Sequence, residues 1–155
     1  MYRATICSVE RESFESDLSP NEYSQLADFR YRIRKFLHFS ENACREHGLE
    51  PRQHQLLLAI KGLPEGVQPT IGEHARRLFL KHHSTVELID RLERLEVVRR
   101  ERNMKDAREV FVRLTPKGHD CLRRLSLAHR RELESSGLEL ARALEGIVRT
   151  TEHAA

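Results

Sequence analysis

Apolar residues recur at helical spacing through Leu26, Phe29, Ile33, Phe36, Leu37 and Cys44, and this stripe predicts a first helix reaching about His47. Its start is written in Ser19-Pro20-Asn21-Glu22. Ser19 can cap, Pro20 suits the first helical position where no N–H is needed, and Glu22 completes a capping box. Gly48 ends the helix, and Pro51 opens a second through Gln55, Leu56, Leu57, Ala59 and Ile60, stopped by Gly62-Leu63-Pro64. After a loop over 62–69, Thr70-Ile71-Gly72-Glu73 reads as a second capping box, starting a short helix to about Leu78. A break at Phe79-Leu80-Lys81 precedes a helix over about 82–95, with Thr85, Leu88, Ile89, Leu92 and Leu95 on its apolar face. Val97–Arg102 and Glu109–Leu114 then read as two strands around a polar turn, Asn103-Met104-Lys105-Asp106. Val110, Val112 and Leu114 alternate with Glu109, Phe111 and Arg113, the period of a half-buried strand. Thr115-Pro116 caps a fifth helix carrying Cys121, Leu122, Leu125 and Ala128. Ser135-Ser136-Gly137 predicts a break before a sixth with Leu138, Ala141, Leu144 and Val148.

The predicted fold is therefore mainly α with a small β-hairpin wing. The order helix, short helix, tight turn, helix, hairpin over 49–115 is that of a winged helix-turn-helix. Residues 1–18 read as a polar arm. The flanking segments, 19–48 and 116–153, form long amphipathic helices whose apolar stripes exceed what one small domain covers. They are expected to pack on each other and on a second copy of the chain, as an intertwined dimerisation region.

Composition narrows the class. The 155 residues are 33% charged and 6% aromatic, with no Trp, which favours exposed helices over a thick sheet-based core. A formal net charge of +3 and a pI near 8.9 permit a nucleic-acid partner without requiring one, so the placement of the arginines has to decide. Three cysteines with no C-x-x-C pair suggest free thiols in a reducing compartment. No apolar run approaches a signal or membrane-spanning length, and a cytoplasmic location with no membrane partner is expected.

Opposite the apolar face of the 82–95 helix lie His83, Ser84, Val86, Glu87, Asp90, Arg91 and Arg94. In a helix-turn-helix this is the face that meets base edges. Ser84 can bond a base edge or phosphate, Val86 can meet a thymine methyl, Glu87 can accept from a cytosine amino group, and Arg91 can reach a base or phosphate. A solvated helix face would look similar. The hairpin is more telling, because Arg99, Arg100, Arg102, Lys105, Arg108 and Arg113 crowd two short strands and their turn. Such repulsion destabilises a hairpin that has no anionic partner, and an Arg at a protruding tip suits a narrow minor groove; the alternative is an exposed hairpin salt-bridged by its own Glu101, Asp106 and Glu109. Asp106 stands where it could hold the Arg108 guanidinium extended.

The series Asp90-Arg91-Leu92-Glu93, Val97-Val98-Arg99-Arg100, Asp106-Ala107-Arg108 and Leu114-Thr115-Pro116-Lys117-Gly118 resembles the signature of the MarR family of winged-helix regulators over roughly residues 30–125. The resemblance implies a homodimer joined through the first, fifth and sixth helices, a pseudo-palindromic double-stranded DNA operator, and release by a small ligand or oxidant. By position it places base contacts on His83, Ser84, Val86 and Glu87, and the wing contact on Arg108. Val86 and Glu87 depart from the family's usual Ser or Thr and basic residue, which implies an altered operator preference. Glu96 stands where the family usually has Gly, so a different helix end is expected there. His74, where Leu is common, reads as a core histidine with its hydrogen bonds satisfied.

An effector crevice between the dimer helices and the DNA-binding lobe would include Arg34, His38, Phe39 and His54, and an Arg with two His beside aromatic surface suits a small aromatic acid. Ordinary interlobe packing is the bland alternative. No H-x-x-x-H or clustered Cys/His spacing points to a metal. His38 and Glu41 form one pair of the kind expected by chance, and no cofactor is expected. A redox switch would use Cys7, near Arg3 and Arg11, or Cys44, near Arg45 and His47, with an inert apolar role as the default. There is no nucleophile elbow, phosphate-cradling loop or paired-carboxylate arrangement, so an enzyme is not expected. The leading expectation is a homodimeric repressor; the alternatives are a winged-helix protein-interaction module without specific DNA binding and a redox-responsive regulator.

Overall fold

The computed structural model describes residues 18–104, 106 and 108–152. The elements run α1 (Pro20–Glu46), α2 (Pro51–Lys61), α3 (Ile71–Arg77), α4 (His82–Arg94), β1 (Val98–Arg102), β2 (Val110–Leu114) and α5 (Pro116–Glu152). The capping box at the start of α1 is complete: Glu22 N–H donates to Ser19 Oγ at 3.3 Å, and Ser19 N–H donates to Glu22 Oε2 at 2.7 Å. At α3 only half of the expected box forms. Thr70 Oγ1 accepts from Glu73 N–H, but the Glu73 carboxylate turns to Arg76 and Arg77, and Thr70 N–H bonds Gln68 O instead.

The expected sixth helix is a correction: α5 continues through Ser135-Ser136-Gly137 without a break. Ser136 Oγ bonds the Glu132 carbonyl one turn back at 2.9 Å, which keeps the residue in the helix. A helical Gly costs only about 1 kcal/mol. Packing along α1 continues past that point, with Arg32 of α1 bonded to Glu139, and it outweighs the local penalty.

The hairpin pairs Val98 with Leu114, Arg99 with Arg113, Arg100 with Val112, Glu101 with Phe111 and Arg102 with Val110. Val98, Val112 and Leu114 face the core. That core joins Ala43, Cys44 and Leu49 to Leu56 and Leu57 of α2, to Leu88, Ile89 and Leu92 of α4, and to Cys121, Leu122 and Leu125 of α5. The buried cluster thus runs across the boundaries at 48/49 and 115/116 that the pattern draws. Leu95, expected on the buried face of α4, is exposed beyond its end.

Glu96 keeps a left-handed backbone, φ 59°, despite its side chain. The different helix end expected there is not what forms. Thr115 Oγ1 holds the Glu96 carbonyl at 2.7 Å, and Lys117 Nζ meets its carboxylate at 3.2 Å. His74 is fully buried, as a core residue should be, yet neither ring nitrogen has a hydrogen-bond partner. Burial pushes its pKa down, so it sits in the core as a neutral ring.

Candidate nucleic-acid interface and ligand cavity

α4 docks through Thr85, Leu88, Ile89 and Leu92, all buried, which leaves the opposite face to solvent. His83, Glu87 and Arg91 are exposed there, while Ser84 and Val86 are half-buried. Thr85 Oγ1 turns inward to the Lys81 carbonyl at 3.2 Å, and so does not compete for that face. Arg91 lies 3.7 Å from Glu50, a contact between two half-exposed side chains that leaves the guanidinium able to turn elsewhere.

Arg100, expected among the DNA contacts, is placed differently. Its side chain shares a strand face with Val98 and points at α4, where Nη2 meets Asp90 Oδ1 at 2.7 Å and Nη1 pairs with Glu93. Its backbone N–H also donates to Glu93 Oε1 at 2.9 Å. The residue ties the wing to α4, and both terminal nitrogens of its guanidinium are engaged there. Arg102, one pair nearer the tip on the same face, is exposed. Asp106 also acts differently from expectation: its Oδ1 accepts from the Arg108 backbone N–H at 2.9 Å. It fixes the backbone of the tip, in the manner of an Asx turn, and not the guanidinium. Arg108 is exposed, and Lys105 lies outside the described residues. The tip is closed by Asn103 N–H to Glu109 O and Glu109 N–H to Asp106 O, both at 3.0 Å.

Between α1, α2 and α5 lies a cavity of about 580 Å³ with mostly apolar walls, among them Phe36, Leu37, Leu58 and Leu133. His54 lines it, as expected for the effector crevice, and Phe39 packs edge-on against His129 behind it at 5.7 Å. Arg34 and His38 are exposed on α1 and are not among its lining residues. The guanidinium at the cavity belongs instead to Arg130, which is paired with Glu134 at 2.8 Å.

Sequence reasoning missed His129. Its Nδ1–H donates to the Leu125 carbonyl at 2.7 Å, and its Nε2 is hydrogen-bonded to Ser40 Oγ at 2.7 Å. His54 stacks on it with centroids 4.6 Å apart and planes 30° from parallel. His54 is 5% exposed, and its Nε2 is buried without a partner. Burial, with the His129 ring beside it, pushes its pKa down to about 4. The His54 imidazole therefore lines an apolar cavity as a neutral ring, with its unpaired Nε2 turned into the protein and shut off from the cavity space.

Cys44 is fully buried, and burial raises its thiol pKa, the reverse of what a redox sensor needs. Cys7 lies outside the described residues. His38 contacts Asn42 at 3.2 Å and Glu41 pairs with Arg45, so the two do not converge. Among the described residues no three His, Cys, Asp or Glu side chains converge on a metal position, and no helix is long and apolar enough to cross a membrane.

A family model described as MarR family matches residues 47–109, from the end of α1 to the wing tip. The HTH-type transcriptional regulator YkoM of Bacillus subtilis is 35% identical over 124 residues, covering 76% of this chain and 73% of its own. The chain belongs to the MarR family. AbsC of Streptomyces coelicolor, a MarR-family transcriptional regulator, is similar in fold with a TM-score of 0.70 at 20% identity, over 90% of this chain and 97% of its own. The transcriptional repressor CouR, bound to a 23-mer DNA duplex, is similar with a TM-score of 0.63 at 27% identity, over 88% of this chain and 99% of its own. This MarR-family chain is thus a DNA-binding transcriptional regulator with a winged helix-turn-helix fold, and its family is one of regulators, not of enzymes.

Proposed function

We propose that this MarR-family regulator is a cytoplasmic homodimeric repressor that reads a pseudo-palindromic operator with α4 and the wing, and that a small ligand in the α1–α2–α5 cavity releases it. The observation that carries the reading is the clamp of Arg100 on Asp90 and Glu93, which holds the exposed face of α4 and the Arg108 tip in one fixed relation. Two reading elements held so can enter adjacent major and minor grooves together. In this reading His83, Ser84, Val86, Glu87 and Arg91 meet the major groove, and Arg102, Lys105 and Arg108 meet the flanking backbone and minor groove.

Dimer formation is supported by the apolar residues that α1 and α5 leave at the surface, including Leu26, Leu37, Leu133, Leu138 and Leu144. A ligand in the cavity is supported by its size and by its mostly apolar lining. The polar end of an aromatic ligand would meet Arg130, whose ion pair with Glu134 is exposed and leaves the guanidinium able to turn to it. The repressor bound to DNA among the similar chains, CouR, accords with the DNA partner.

The test selects a binding site from a random duplex pool and then measures Arg108→Ala on it. Expected is selection of an inverted repeat with half-sites about one helical turn apart, and a loss of at least tenfold in affinity for the variant. Binding that shows no preference over random duplex, or an Arg108→Ala chain that binds undiminished, would favour the protein-interaction reading instead.

A further inference from the structure

The two faces of the hairpin are chemically unlike. Val98, Arg100 and Arg102 alternate with Arg99 and Glu101, so Arg99, Glu101, Phe111 and Arg113 share the face turned away from α4. On that face Arg99 stands directly opposite Arg113, a like-charge cross-strand pair that destabilises a hairpin. One carboxylate relieves it: Glu101 lies 2.6 Å from Arg99 Nη2 and 2.7 Å from Arg113 Nε. Beside the pair is a hollow of about 420 Å³ that also draws in Lys61 from the last turn of α2 and His119 from the first turn of α5. No acid lines it, and its other walls are Ile60, Pro69, Val112 and Leu114. Among the described residues Lys61 has no ion pair.

We infer that this outer hollow of the wing is a second ligand site, one that takes a small dianion carrying an apolar body, such as an aromatic phosphate monoester. Three permanent cations face a single carboxylate, so a dianion completes the charge balance. The guanidinium of Arg113 is already held in place over the Phe111 ring at 5.8 Å, which lowers the cost of ordering it. The hollow is concave, with Ile60 and Pro69 among its aliphatic walls and the buried Val112 and Leu114 at its base, and none of its lining residues belongs to α4. A duplex backbone, which is convex and lies along α4, does not fill such a space, whereas a small molecule does. The site is separate from the α1–α2–α5 cavity, and the inference stands whether or not the DNA reading holds.

The experiment is an amide-resolved NMR titration of the full chain with phenyl phosphate and, separately, inorganic phosphate, at constant ionic strength. Expected are saturating shifts at Lys61, Arg99, Arg113 and His119, with phenyl phosphate at least fivefold tighter than inorganic phosphate because only it uses the apolar walls. Arg99→Gln and, independently, Lys61→Ala should each weaken phenyl phosphate at least fivefold; the second lies outside the hairpin and guards against a wing that fails to form. Shifts that never saturate, or that are equal for the two phosphates, overturn the inference. It is also overturned if both variants leave phenyl phosphate binding unchanged but weaken duplex binding, for then the charges serve DNA phosphates.

Discussion

The Arg100 guanidinium lies 2.7 Å from Asp90 and bridges on to Glu93, so one strand residue grips two successive turns of α4. The contact is partly exposed, Arg100 at 26% and Asp90 at 48%, and solvent screens it. Its stability contribution is therefore only about 1 kcal/mol. Its geometric contribution is larger, because it braces against α4 the part of the wing beyond the buried Val98, Val112 and Leu114. Asp90→Asn should cost little stability yet weaken specific DNA binding about tenfold, since the wing then swings relative to α4. Fluorescence anisotropy beside thermal melts separates the two. A loss in affinity that merely tracks a loss in melting temperature would make the clamp a stability feature alone.

Two side chains occupy backbone conformations that suit glycine. Glu96 has φ 59°, and Phe79, in the turn between α3 and α4, has φ 52° with its ring 96% exposed. A left-handed residue with a Cβ costs about 1–2 kcal/mol, and part of that is returned because Gly is freer in the unfolded chain. Glu96→Gly should raise stability by roughly 0.5–1 kcal/mol. The contact it removes, Lys117 on an 80% exposed carboxylate, contributes little, and the Thr115 bond is to the backbone and survives. Thermal unfolding should show a rise of about 1–4 °C, and a fall would mean that the Lys117 pair matters more than its exposure allows.

Most of the fold was legible because its signals are local. Ser19, Pro51 and Gly48 mark helix ends by their own chemistry, and the alternation of Val110, Val112 and Leu114 fixes which strand face is buried. The continuity of α5 was not legible, because Ser135-Ser136-Gly137 is a break by local propensity and only packing against α1 overrides it. The roles of Asp106 and Arg100 were misjudged for different reasons. Asp106 serves the backbone two residues on, a turn chemistry that charge counting overlooks. Arg100 shares a face with Val98, which only the register of β1 against β2 and the place of α4 beside it reveal. His129 gave no signal, because its meaning depends on Ser40, 89 residues away, and on His54 from a third helix.

Among the described glycines, Gly118 lies at the tightest approach. A Cβ there would sit 1.9 Å from the Val97 carbonyl oxygen. That carbonyl cannot withdraw freely, since it accepts from Thr115 N–H at 3.1 Å. The first turn of α5 therefore lies directly on the chain entering β1. Gly118→Ala should destabilise by roughly 3 kcal/mol, at the upper end of overpacking effects, and denaturant titration would register it. A change under about 1 kcal/mol would mean that α5 can lift from Val97 at little cost.

The buried histidines predict how stability changes with acidity. In the unfolded chain His54 takes up a proton near its ordinary value of 6.5, but in the folded chain burial allows this only near 4. Between these values the unfolded state binds more protons, so protonation favours unfolding. The stability linked to His54 is complete above about pH 6.5 and is lost as pH falls toward 4, at up to about 1.4 kcal/mol per pH unit. His74, lowered by burial as well, adds in the same direction. Glu73, held near 2 by Arg76 and Arg77, begins to contribute only as pH falls below its ordinary 4.5, a separate and more acidic window. Urea unfolding at pH 7, 6 and 5 should show a steady decline that is shallower in His54→Leu. Equal slopes in the two chains would mean that the ring takes its proton inside the folded cavity, and that His54 is less shut off from water than its 5% exposure indicates.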